Sequence, residues 1–245
     1  MSMSLAKYLD YLVEWLQVEV KKSGQTGVIV GVSGGIDSAV VAALAKKAFP
    51  NSYLTVWMPC ESSDLDNTCK EQLVEQLQLK NLVVDLKAPF AAMVATLKAS
   101  GSKLTQLALA NTKARLRMTS LYALAQSNNA LVLGTDNADE WHIGYFTKFG
   151  DGGVDLLPLV HLLKSQVREA AKLLNVPEII INRAPTAGLW SDQTDESEIG
   201  FSYDLIDDYL SGKAVAVDVK VRIEHLHKIS EHKRTSAPMP KKYQS

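Results

Sequence analysis

Eight consecutive residues, Gly31-Val32-Ser33-Gly34-Gly35-Ile36-Asp37-Ser38, place small side chains, two hydroxyls and a carboxylate between two apolar runs. The first run, Val28 to Val32, reads as a strand, and the second, from about Asp37 to Lys47, reads as a helix. Small residues at such a turn let backbone N–H groups approach an anion, and the helix N-terminus behind them adds partial positive charge. The segment therefore reads as a phosphate loop. It is not a Walker loop, which ends in Gly-Lys-Ser/Thr and sends the lysine to the outer phosphates, because Asp37 stands in that place. A carboxylate there suits a hard cation such as magnesium held against the same phosphates. The plain alternative is a Gly-rich turn capped by Ser33 and Asp37, with no ligand.

The elements that must position this loop follow from periodicity. Leu5, Tyr8, Leu9, Leu12, Val13 and Leu16 recur at helical spacing, so the first twenty-odd residues read as an amphipathic helix that packs on the domain or on a partner. Strand-like runs at Tyr53 to Met58, Asn81 to Val84 and Ala130 to Leu133 alternate with helical segments at Leu65 to Leu79, Pro89 to Leu97 and about Thr105 to Gln126. That order predicts an α/β, Rossmann-like parallel sheet with helices on both faces. Ligands in such sheets bind beyond the carboxyl ends of the strands, where Gly134-Thr135-Asp136-Asn137 also falls. Pro and Gly punctuate the second half, with helices expected at Lys164 to Leu174, Ser202 to Leu210 and Asp218 to His232. Ala184 to Gly200 is polar with little apolar periodicity and reads as a long mobile loop of the kind that closes over a site.

Composition bounds the rest. The 245 residues suit one catalytic domain, residues 1–245, and 27 acidic against 26 basic side chains leave no basic coat for nucleic acid. Cys60 and Cys69 have no disulfide or zinc spacing. With no leader and no bilayer-length apolar run, the expectation is a cytoplasmic protein that binds no membrane.

The pattern Ser-Gly-Gly-x-Asp-Ser resembles the pyrophosphate loop of the N-type ATP pyrophosphatases, which cleave ATP between the α and β phosphates. Four further blocks are similar to one branch of that group. They are Asn111 to Met118, Gly134 to Glu140, Gly144 to Asp155, and Pro185 to Trp190 running into Gln193 to Glu196, with His232-Lys233-Arg234 near the end. Five blocks in order resemble the ammonia-dependent NAD synthetases. The resemblance implies an adenine nucleotide alpha hydrolase-like fold and a ligase that joins ammonia to deamido-NAD through an adenylate, releasing pyrophosphate and AMP. It also implies a homodimer with the dinucleotide bound across the interface.

Residue roles implied by the resemblance are as follows. Gly31 to Ser38 (Gly31, Val32, Ser33, Gly34, Gly35, Ile36, Asp37, Ser38), Thr135, Lys164 and Thr186 contact ATP, while Asp37 and Glu140 hold magnesium. Arg115, Lys148, Asp155, His232 and Lys233 bind deamido-NAD, and Asp151 lies near the incoming ammonia, where a carboxylate attracts ammonium and accepts a proton. Asp151 and Lys164 are the catalytic pair of this reading. Several positions keep a second reading from the residues alone. Thr135 and Asp136 could simply cap a helix, and Lys113 and Arg117 read better as a solvated edge or an internal ion pair. His142, two residues from Glu140, points to another helix face and reads as a surface or packing residue.

A core beginning this early is expected to carry no glutaminase domain, so free ammonia or a separate subunit supplies nitrogen. The competing functions are a GMP-synthetase-type ligase, whose acceptor segments would differ from Lys148 to Asp155, and a non-catalytic adenine-nucleotide sensor, for which loss of Asp37 or Glu140 would argue.

Overall fold

The computed structural model describes residues 3–184 and 195–243. Its sheet holds β1 (Gly27–Val32), β2 (Tyr53–Trp57), β3 (Asn81–Val83) and β4 (Ala130–Leu133), all parallel in the order β3-β2-β1-β4. Strands β1 to β3 progress outward on one side of β1, whereas β4 lies on the other, so the order reverses between β1 and β4. Such a switch point opens a crevice beyond the strand ends.

Strands β1 and β2 are largely buried, β3 is exposed at the sheet edge, and the pleat sends alternate residues to opposite faces. Val28, Val30 and Val32 of β1 join α1 (Leu5–Lys22), α2 (Ile36–Ala48) and α7 (Lys164–Leu173) in one core, with Cys69 and Leu73 of α3 (Asp64–Gln76) at its edge. Ile29, Val56 and Val132 turn to the opposite core, formed with α4 (Lys87–Ala99) and α5 (Gln106–Ser127). Helix α2 is apolar nearly all round, with Ala39 to Ala45 buried, as a helix between sheet and neighbouring helices must be. A third cluster, Ile143, Ile199, Tyr203, Ile206 and Ile223, ties together α6 (Ala138–Ile143), α9 (Asp195–Ile199), α10 (Tyr203–Leu210) and α11 (Val217–Ile229). Two short helices complete the chain, α8 (Glu178–Ile181) and α12 (Glu231–Arg234).

The α/β, Rossmann-like expectation holds, with helices on both faces. Two expectations need correction. The apolar stripe of α1, Leu9, Leu12, Leu16 and Val20, is covered within the chain by α2 and α7, so it gives no argument for an interface between copies. The segment Ala184 to Gly200 is not all loop: Asp195–Ile199 forms α9, with Asp195 and Ile199 buried. Its anchor is the Asp195 carboxylate, bonded by the hydroxyls of Tyr145 and Tyr203, and periodicity cannot reveal such an anchor. Thr186, Leu189 and Trp190 lie outside the described residues. Among the described residues no helix is long and apolar enough to cross a membrane.

Candidate active site

A cavity of about 550 Å³ opens at the switch point, lined by the loop after β1, the turn after β4 and the start of α7. The loop is shaped by its own hydroxyls: Ser38 Oγ donates to the Gly35 carbonyl at 2.9 Å and accepts the Ser33 N–H at 3.1 Å, while Ser33 Oγ accepts the Gly35 N–H at 3.2 Å. Gly34 has φ +82°, and a Cβ there would lie 2.8 Å from the Asp66 carbonyl oxygen. Only glycine meets both conditions without displacing backbone. The N-terminus of α2 has no side-chain cap, so its first N–H groups are open to a ligand. Of the capping expected from Ser33 and Asp37, Ser33 bonds the Gly35 N–H within the turn, and no side chain caps α2.

Behind the loop lies a charge network. Lys164 Nζ, almost fully buried, reaches Asp37 Oδ2 at 2.6 Å and Glu140 Oε1 at 3.0 Å. Burial pulls the Lys164 pKa down, yet the two carboxylates outweigh it and hold the ammonium above its ordinary value. Burial raises the Glu140 carboxyl to about 7, opposed by Lys164 and reinforced by Asp37. Lys164 is fixed from both ends. As the first residue of α7 it donates its backbone N–H to Asp207 Oδ1 on α10, and Ser165 N–H reaches Oδ2 of the same carboxylate, each at 3.1 Å. Its ammonium sits 4.7 Å from the ring centre of Tyr203, whose hydroxyl lies 3.1 Å from Glu140 Oε1.

Asn137 is the N-cap of α6 and forms a capping box with Glu140, so neither Thr135 nor Asp136 has that role. The Asn137 side-chain amide also donates to Asp37 Oδ1 at 2.8 Å, joining the two turns. Beside it, both carboxyl oxygens of buried Asp139 lack a donor. Asp139 faces the carboxylate of Asp207, and burial first, then that neighbour, raises its pKa to about 9. At neutral pH Asp139 thus keeps its proton, directed toward Asp207.

The far end of the cavity differs. Asp151 on the Gly150–Gly153 turn accepts the Thr147 N–H at 3.0 Å, and burial raises its pKa. Lys233 Nζ is held by the carbonyls of Gly144 and Phe146, each at 2.7 Å. Burial lowers the Lys233 pKa, with the Asp151 charge acting against it.

The structure thus brings Gly31, Val32, Ser33, Gly35, Ile36, Asp37, Ser38, Thr135, Glu140, Asp151, Lys164 and Lys233 to one cavity. Gly34, Arg115, Lys148, Asp155 and His232 lie outside its lining. Arg115 donates to the Lys148 carbonyl at 3.3 Å, and Lys148 Nζ donates to the His232 carbonyl, so these three form a separate rim cluster. Asp155 ties β4 to α5, accepting Val132 N–H at 2.8 Å and the Tyr122 hydroxyl at 3.0 Å.

Lys113 is an internal ion pair with Glu61 at 2.5 Å, and His142 packs by stacking on His227 at 4.2 Å. Arg117 overturns the solvated-edge reading: it lines the cavity, its Nε donates to the Met58 carbonyl at 3.2 Å, and desolvation lowers its pKa. Sequence reasoning also missed Tyr203, Asp207 and Arg183. Arg183 braces the phosphate loop by bonding the Gly34 carbonyl at 3.4 Å and Asp66 Oδ1 at 2.6 Å. No local pattern marks any of the three.

Comparison with known proteins places this geometry. The profile of the family described as NAD synthase matches residues 8–237. The chain is 62% identical over 241 residues to the NH(3)-dependent NAD(+) synthetase of Mesoplasma florum, spanning 98% of this chain and 99% of that one. Among solved structures it is similar to the NMN synthetase of Francisella tularensis, with TM-score 0.93 and 42% identity over 98% of this chain and 99% of the other. It is also similar to the NH3-dependent NAD synthetase of Campylobacter jejuni, with TM-score 0.82 and 26% identity over 98% and 100%.

Proposed function

The chain belongs to the NAD synthase family, and from that premise we propose how its cavity carries the reaction. It is an ammonia-dependent ligase of the adenine nucleotide alpha hydrolase-like fold that converts deamido-NAD to NAD with cleavage of ATP. A carboxylate does not react with ammonia directly, because its charge repels the nucleophile and oxide is a poor leaving group. The nicotinate carboxylate attacks the α-phosphate of ATP, pyrophosphate leaves, and ammonia displaces AMP from the resulting anhydride.

The observation that carries the site assignment is the buried Asp37–Lys164–Glu140 triad behind an uncapped phosphate loop. The loop N–H groups and the N-terminus of α2 receive the departing pyrophosphate, and Lys164 offsets charge at the phosphates. Thr135 lies at the same wall and contacts ATP, with Thr186 assigned beside it from the family pattern alone. Asp37 and Glu140 fit magnesium: two hard carboxylates converge on one cationic point, where Lys164 Nζ now sits. These two side chains would hold the ion, and oxygens of ATP and water would supply its remaining ligands. Magnesium, when bound there, supplies positive charge to the triphosphate. Asp151, at the other end, draws in ammonium and takes a proton from it.

The rim cluster of Arg115, Lys148 and His232, together with Asp155 and Lys233, binds the dinucleotide. Exposed Phe149 beside Lys148 adopts φ 60°, a strained backbone that such a binding turn can hold. The chain works as a homodimer whose partner closes this rim. In support, α4 is rich in alanine and apolar residues yet buries only Phe90, and Met93 on it and Leu107 on α5 are 43% and 62% exposed. Sedimentation showing only monomer at micromolar concentration with full activity would remove the dimer. The buried free thiols Cys60 and Cys69 support a reducing, cytoplasmic setting for one catalytic unit that takes free ammonia.

The likeness to an NMN synthetase favours a second acceptor, deamido-NMN, for the same chemistry. Pyrophosphate release with ATP, magnesium and ammonium tests both readings. Deamido-NAD must support turnover, the ratio of kcat/KM for the two acceptors ranks them, and release with neither would defeat the assignment.

A further inference from the structure

Asp136 is used by nothing described so far. It lies on the turn between β4 and α6, 3% exposed, and its Oδ2 has no hydrogen-bond partner. Asp136 and Asp151 both line the cavity, which explains a carboxylate that helix capping does not. Such an oxygen, removed from water and given no donor, is costly unless something binds there.

The groups acting on Asp136 define what that something is. After burial, the strongest influence is the charge of Asp151, followed by those of Glu140 and Asp37 from the triad end, with Lys233 opposing. Lys233 is itself turned to the Gly144 and Phe146 carbonyls, and the charge of Arg117 reaches Asp151 from α5. We propose that Asp136 is the second wall of the ammonium site: it accepts a hydrogen bond from the incoming cation opposite Asp151, and the two carboxylates together take its proton. This rests on the reading of Asp151 given above.

The chemistry requires such a pair. Amines in water hold their proton to about pH 8–10, whereas a solvated carboxylate releases its own near pH 4, so a lone exposed aspartate is a weak base for the task. Burial pushes the proton affinity of both aspartates upward, and at Asp136 the charge of Asp151 adds to it. Ammonium sheds one proton to the pair, and neutral nitrogen then attacks the acyl carbon. AMP departs with the electron pair of the broken C–O bond, and the second proton leaves nitrogen as the amide forms. The result is amide, AMP and two protons from acyl-adenylate and ammonium.

The test separates the nitrogen step from adenylation. In Asp136→Asn, deamido-NAD-dependent exchange of pyrophosphate into ATP stays within about twofold, while kcat/KM for ammonium falls roughly 10²-fold, a general-base effect. Its pH profile moves to higher pH, and use of hydroxylamine, uncharged at neutral pH, changes far less. Parallel loss of exchange and ammonium use would make Asp136 a part of the ATP end and overturn the proposal. So would an unchanged response to ammonium. If Asp151→Asn leaves ammonium use intact, the reading of Asp151 fails; if that variant is impaired and Asp136→Asn is not, only the role of Asp136 fails. Should Asp136→Asn not fold, the wild-type enzyme still decides. Potassium, close to ammonium in size, must raise the apparent KM for ammonium without slowing exchange, and failure to compete overturns the proposal.

Discussion

The two ends of the cavity each present carboxylates and a lysine, arranged in opposite ways. At the phosphate end Lys164 pairs directly with Asp37 and Glu140, and each carboxylate is held by a second contact, to Asn137 and Tyr203 respectively. At the other end Lys233 bonds backbone carbonyls while Asp136 keeps an unpartnered oxygen. The contrast teaches what each end is built to receive. Two carboxylates on one ammonium leave a negative charge that a metal ion can offset while Lys164 turns to the phosphates, whereas an unpartnered carboxylate oxygen offers an acceptor to a small cation.

Replacing one group at each end breaks the contrast. Asp151→Asn has the largest expected effect: amide formation at limiting ammonium slows by about 10²–10⁴, with pyrophosphate exchange preserved. Equal loss of both reactions would mean that the ends are not separate. Lys164→Ala should slow pyrophosphate release by about 10²–10³. It also costs about 3–5 kcal/mol of stability, because Asp37 and Glu140 are left buried without their cation. A melting curve like the wild type would show that the Lys164 ammonium does not stabilise the two buried carboxylates. Asp37→Asn and Glu140→Gln remove one anionic oxygen while keeping size, and each should reduce pyrophosphate release on the order of 10²-fold, most severely at low magnesium. Near wild-type turnover at limiting magnesium would refute the ligand assignment.

The smallest effect on catalysis sharpens the comparison through the scaffold of Lys164. Asp139 has a folded pKa of about 9, above its unfolded value of about 3.9. Its contribution is fully present below the unfolded value and is lost as pH rises through the folded one. Asp139→Asn carries an amide that cannot ionise yet still donates to Asp207. It should therefore gain stability relative to wild type between about pH 4 and 9, by at most about 1.4 kcal/mol per pH unit. Melting temperatures across that range decide it: parallel curves would mean that Asp139 does not hold its proton against Asp207.

Short-range pattern made much of this legible. The phosphate loop, the turn after β4, four strands and most helices stand where periodicity and small-residue punctuation place them, because those signals act over one or two turns of chain. The α1 stripe was legible as apolar but not in its destination, since α2 and α7 cover it. Arg117 misled because helix spacing tells which face a residue shares, not whether that face meets solvent or a cavity. Helix α9 was hidden by its polar composition, its anchor being two tyrosine hydroxyls on one carboxylate.

By itself the sequence determined the character of contiguous segments: a Gly-rich turn running into a helix N-terminus, carboxylates on that turn and the one after β4, and the family pattern that names the acceptor. Only the tertiary structure decided which charges meet. Lys164 finds Asp37 across 127 residues, and Asp207 caps α7 from 43 residues away. No periodicity spans such separations, because these contacts arise from the packing of helices whose apolar faces fix position and leave the polar partners to be read only in space.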